Sequence, residues 1–118
     1  MSAKIKNDYG TIYIDDSVLA SIAGLSAMEC YGLVGMANRN AADGLVELLR
    51  KDNLTRGVKV YSEEDKLTID LYIVVQFGTK ISVVANNIIE KVKYNLENLT
   101  GLHVQTININ VEGVRVQK

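Results

Sequence analysis

Two strictly alternating segments, separated by one amphipathic stretch, leave this chain few ways to fold. In residues 67–77, Leu67, Ile69, Leu71, Ile73, Val75 and Phe77 hold every odd position, and in residues 106–112 Ile107, Ile109 and Val111 alternate with polar neighbours. A period of two places apolar side chains on one side of an extended strand, so each segment has one face to bury. Between them Ile81, Val84, Ala85, Ile88, Ile89, Val92, Leu96 and Leu99 recur at three- and four-residue steps. That spacing forms one stripe along a helix of about 18 residues, or about 27 Å. The unit reads β-α-β, with the helix laid over the sheet.

The remaining chain is sized for one such core. At 118 residues and 47% hydrophobic it fits a single globular domain spanning 1–118. Residues 1–8 read as frayed, and Gly10-Thr11-Ile12-Tyr13-Ile14 as a short strand with Ile12 and Ile14 turned to the core. Asp15 or Asp16 then caps a first helix near 16–29, rich in small residues around Gly24 and stopped by Tyr31-Gly32. From 36 to 56 the periodicity weakens into a variable insert, with Leu45, Val46, Leu48 and Leu49 hinting at a short helix capped by Asp43. Strands are expected near 57–63 and 66–77, paired as an antiparallel hairpin, then a helix near 81–99 and a strand near 103–112. Thr100-Gly101-Leu102 resembles a Schellman stop, and the change of parity at Gly113 marks a bulge or strand end. The expectation is α+β: a mixed sheet of about four strands in β-α-β-β-α-β order, both helices on one face, with a split β-α-β arrangement.

Several chemistries find no support in the residues. The formal net charge of −1 and the absence of a basic run argue against nucleic acid as a partner. Residues 17–28 are too short to span a bilayer, so no direct membrane insertion is expected, and the N-terminus carries no apolar leader-like run. One cysteine, Cys30, and one histidine, His103, lie 73 positions apart without the local signature of a nucleophile pair or a metal site. The glycines occur singly, not as a phosphate loop. No catalytic residue, metal or cofactor is expected, and a reducing cytoplasm suits the lone thiol.

The surface that invites a function is the side of the sheet away from the helices. Strict alternation turns Tyr13, Tyr61, Tyr72 and Val74 to that side together with Lys59, Asp70, Asn108 and Asn110. Exposed tyrosines on a polar sheet suit a protein contact, although tyrosine is also simply favoured in strands.

The run Leu71-Tyr72-Ile73-Val74-Val75-Gln76-Phe77-Gly78, followed by Val84-Ala85-Asn86-Asn87-Ile88 and Thr100-Gly101-Leu102-His103-Val104, resembles the alkaline-shock, or envelope stress response, family of Gram-positive bacteria. Gly10-Thr11-Ile12-Tyr13-Ile14, Glu29-x-x-Gly32-Leu33 and Gly57-Val58-Lys59-Val60 extend the resemblance over most of the chain outside residues 38–56. The resemblance implies a non-enzymatic, abundant cytosolic protein that acts through protein partners or as a homo-oligomer. In some members a separate anchor protein holds it at the membrane, and small stand-alone members are linked to fatty-acid and lipid metabolism. A non-catalytic interaction module is therefore the leading expectation. Its alternative is a regulator of lipid metabolism holding an apolar ligand between helix and sheet.

Overall fold

A computed structural model describes residues 2–40, 45–48, 56–63 and 66–116. Within them the order is β1 (Ser2–Asn7), β2 (Gly10–Asp15), α1 (Asp16–Met28), β3 (Leu33–Asn40), β4 (Leu45–Leu48), β5 (Val58–Glu63), β6 (Lys66–Gln76), α2 (Ile81–Thr100) and β7 (His103–Arg115). The α+β class, the β5–β6 hairpin and the β6-α2-β7 unit all form as the alternation requires.

β6 is the spine. On one edge it pairs in parallel with β7 along its whole length; on the other, Lys66–Leu71 pair with β5 and Ile73–Val75 with β3, both antiparallel. Leu67, Ile69, Leu71, Ile73 and Val75 are buried beneath Leu19, Ala20, Ala23 and Ala27 of α1 and Val84, Ile88, Val92 and Leu96 of α2. Both helices thus cover one face. Small residues on α1 bring the helices together: Asn95 Nδ2 donates to Ser26 Oγ at 2.8 Å, and Ser26 Oγ donates to the Ile22 carbonyl at 2.6 Å. Lys91 and Glu29 pair at 3.5 Å further along the same seam.

The ends of the helices follow capping chemistry. Asp15 accepts from the Ser17 amide at 3.0 Å and from the Ser17 hydroxyl, and these bonds hold its carboxyl below the ordinary carboxylate value. At the end of α2, Gly101 is left-handed (φ 79°) and its amide donates to the Glu97 carbonyl at 2.9 Å. The Leu102 amide donates to Thr100 Oγ1 instead of closing a six-residue loop, so the stop is the simpler αL motif and not a Schellman motif. The Glu97 carboxylate accepts the Val104 amide at 3.0 Å and ties α2 to the start of β7.

Three local expectations are corrected. The segment expected to fray forms β1, paired residue for residue with β2, and Ala3 is fully buried. This two-stranded ribbon stands apart from the main sheet and meets the core through Ala3, Ile5 and Ile14, whereas Ile12, nearer its turn, is half exposed instead of buried. Where a short helix capped by Asp43 was expected, Leu45–Leu48 pair with Ala37–Asn40 as β4; Asp43 and Leu49 lie outside the described residues. Four residues cannot support a helix alone, and a strand alongside supplies the hydrogen bonds instead.

Candidate functional site

The face of the sheet opposite the helices is built in rows by the strand register. Lys59, Asp70 and Asn108 form one row across β5, β6 and β7; Tyr61, Thr68 and Thr106 form the next; Tyr72 and Asn110 form a third. Directly opposed side chains sit about 4.5–5.5 Å apart at Cβ, close enough to brace each other. Asn108 Nδ2 donates to Asp70 Oδ1 at 2.7 Å, and Asn110 Nδ2 donates to the Leu71 carbonyl at 3.2 Å. Lys59 Nζ lies 5.5 Å from the centre of the Tyr72 ring, within cation–π range. Tyr61 remains 54% exposed beside them. Six of the eight residues singled out from parity thus meet on one surface, held by contacts between strands.

The other two do not join it. Tyr13 is exposed, but on the separate β1–β2 ribbon, because the strand that carries it never enters the main sheet. Val74 was expected to lend an apolar side chain to the open face and is instead fully buried. Its row is completed by Gly35 on β3 and Gly113 on β7, neither of which offers a side chain to cover it. Ala37, on the same side of β3, is also fully buried. Cα atoms of β3 come within 8 Å of Cα atoms of β7 although β6 lies between them. In a flat sheet second-neighbour strands are about 9.5 Å apart, so the sheet is bent at this end. Gly35 marks the place, since the β3–β6 register slips between Leu33 and Gly35. A lone breaker glycine within an apolar run was the available signal.

Sequence reasoning also passed over the end of the sheet where β6 stops. There the Gln76 amide donates to the Gly32 carbonyl and the Phe77 amide to the Arg115 carbonyl, each at 2.8 Å. Tyr31, Phe77, Ile81, Val114 and Val116 all stay largely exposed in these segments. They lie on turns and element ends, where a periodicity search has least to read.

The two residues that could serve nucleophilic chemistry are far apart. Cys30 Sγ is half-buried at the end of α1, 3.7 Å from the Ser26 carbonyl and 3.8 Å from the Asn87 carbonyl, and burial pushes its thiol above the ordinary value. His103 Nδ1 lies 3.5 Å from Glu97. Asn87 and Glu97 are ten residues apart on α2, roughly 15 Å along its axis, so no thiolate–imidazole pair can form in this fold. Among the described residues no three His, Cys, Asp or Glu side chains gather as a metal site, and no helix is long and apolar enough to cross a membrane.

Comparison with known proteins places this geometry in a family. The chain is 50% identical to YloU of Bacillus subtilis over 98% of each chain. It is 42% identical to Spy1614 of Streptococcus pyogenes serotype M6, over 98% of this chain and 97% of that one. With YqhY of Bacillus subtilis it shares 40% identity over 90% of this chain and 78% of that one. Among solved structures a MamM-CTD variant is similar in fold, with a TM-score of 0.50 at 10% identity over 88% of this chain and all of that one. The match that decides the matter runs over residues 4–116: the chain belongs to the alkaline shock protein 23 family, of cell envelope-related function.

Proposed function

We propose that this protein is a non-catalytic, cytoplasmic interaction module of its cell envelope-related family, and that it holds a protein partner against the open sheet face. The observation that carries the reading is the braced surface of Lys59, Tyr61, Asp70, Tyr72, Asn108 and Asn110 standing on a filled core. Leu19, Ile69, Leu71, Ile73, Ile88, Val92 and Leu96 have no surface that a water molecule can reach, so none borders a cavity. A regulator holding an apolar ligand between helix and sheet would need such a space. A preformed, polar face with two tyrosines suits a protein contact, in which aromatic anchors carry most of the energy. Membrane association, in this reading, comes through the partner.

The test separates binding from folding. Tyr61→Ala and Tyr72→Ala should each weaken recovery of a partner from cytosol and membrane fractions by about 1–3 kcal/mol in affinity. Ile73→Ala, which hollows the core, should cost the fold about 2–5 kcal/mol. Tyrosine variants that recover the partner as the parent does, or that melt as early as Ile73→Ala, would show the tyrosines to be structural only.

A further inference from the structure

The edge of the main sheet formed by β7 is built to join another strand. Among the described residues β7 pairs only with β6; on the opposite side β5 also pairs only with β6, but it packs against α1 and β1, and its Ser62 Oγ donates to Asp16 Oδ1 at 3.4 Å. At 13 residues β7 is more than twice the usual strand length, so it offers an unusually long edge. Exposed edges are normally guarded by lysine, proline, bulges or brevity. β7 carries no lysine or proline; its guards among the described residues are the charges of Glu112 and Arg115 near one end and two bulges, at Gln105 and Glu112, where the pairing with β6 skips a residue. Between them runs Thr106-Ile107-Asn108-Ile109-Asn110-Val111, regular, uncharged and free of glycine.

The face pattern of β7 says what fits. Residues 104, 107, 109, 111 and 114 pair with core-facing residues of β6, while 103, 106, 108, 110, 113 and 115 pair with open-face ones. Two copies of β7, antiparallel about a two-fold axis at Ile109, match this pattern from end to end. Val104 then opposes Val114, Ile107 opposes Val111 and Ile109 opposes itself on the helix side; Asn108 opposes Asn110 and His103 opposes Arg115 on the open side. The bulged residues fall at corresponding places, each opposite an open-face residue of the other strand. A shift by one residue would turn every side chain to the wrong face. The half-exposed Val114 gains an apolar neighbour in this register. Contacts with α1 run through Asn87, Lys91 and Asn95 of α2, so by helical periodicity the opposite flank, towards the β7 edge, presents Ser82, Ala85 and Ile89.

We infer that the outer edge of β7, away from β6, is the interface through which two copies of this chain pair, antiparallel about Ile109, into one continuous sheet. The inference goes beyond the tyrosine surface: Tyr61 and Tyr72 lie on β5 and β6, and of that face only Asn108 and Asn110 belong to β7. Pairing would set the open faces of both copies side by side, giving a partner two equivalent sites.

Sedimentation of the full chain should give twice the 13.0 kDa chain mass, and Tyr61→Ala should leave that mass unchanged. In a Cys30→Ser background, oxidising a mixture of Asn108→Cys and Asn110→Cys chains should give a disulfide-linked dimer, because these positions face each other across the axis. Either variant alone should stay unlinked. A chain that remains monomeric at all accessible concentrations overturns the inference. So does a dimer that fails to cross-link in the mixture, that cross-links through Asn108→Cys alone, or that is lost with Tyr61→Ala. Circular dichroism matching the parent excludes misfolding as the cause, since both asparagines lie at the open face.

Discussion

Gly32 offers a sharp test of how the two helices and the sheet are fitted together. It follows α1, lies buried with φ +90°, and a Cβ built on it would stand 2.6 Å from Val84 Cγ2 on α2. Two costs should add in Gly32→Ala. A side chain in the left-handed region costs roughly 1–2 kcal/mol. Forcing a methyl group against the buried Val84 adds about 1–3 kcal/mol of overpacking, because the neighbour must move within a close-packed core. Gly78 provides the control: its φ is +95°, but nothing lies within 4 Å of its added Cβ, so Gly78→Ala should show the backbone cost alone. Urea denaturation followed by circular dichroism should therefore place Gly32→Ala about 2–5 kcal/mol below the parent and Gly78→Ala about 1–2 kcal/mol below it. In a Val84→Ala background the obstructing methyl is gone, and the added cost of Gly32→Ala should fall to that of Gly78→Ala. Equal losses for the two single variants, or a Gly32→Ala cost that ignores the residue at 84, would refute this account of the α1–α2 junction.

Two other perturbations report on the same helix pair. Asn95→Ala removes the donor to Ser26 Oγ and should cost about 1 kcal/mol in thermal or urea melts; a Ser26→Ala/Asn95→Ala double-mutant cycle should show coupling of comparable size, and additivity would mean the contact contributes nothing. Cys30 is held neutral chiefly by burial, above its ordinary 9.0, so iodoacetamide should alkylate the folded chain more slowly than the urea-unfolded chain at equal pH. Because the unfolded thiol ionises first, its raised value in the fold should erode stability as pH climbs past 9.0, and Cys30→Ser should remove that part of the slope. A folded thiol that reacts faster than the unfolded one would overturn this.

The parts of the fold legible in the sequence are those whose burial is decided by one neighbour of regular shape. The odd residues of β6 and β7 and the Val84, Ile88, Val92 and Leu96 stripe each need a single flat or grooved surface, and each finds the other. Legibility fails where burial depends on two neighbours or on a partner distant in the chain. Ile12 and Ile14 look equivalent by alternation, yet of the two only Ile14 packs against the core, and Ile12 is half exposed. β1 reads as polar because only Ala3 and Ile5 carry its contact. Leu45–Leu48 has an apolar spacing that suits helix or strand, and the choice is made by β3 alongside.

The same reasoning explains why the candidate site is smaller than parity alone suggests. Alternation assigns an entire face of β6 to solvent, from Thr68 to Gln76. The structure divides that face at Tyr72. Towards Thr68 the rows extend over three strands and end in exposed side chains. Towards Gln76 the glycine-flanked Val74 is buried, and the β3–β6 register slips between Leu33 and Gly35. At Gly113 the row has no side chain, and a Cβ built there would meet only the Val74 methyls, at 3.8 and 3.9 Å. Tyr72 therefore stands at a boundary, its ring against Lys59 on one side and the covered end of the sheet on the other. An aromatic at the border between an apolar, covered surface and a polar, open one can be half-buried without a partner and fully buried with one. That position gives Tyr72 more to gain from docking than Tyr61 on the outer strand, so of the two alanine variants Tyr72→Ala should lose the more binding.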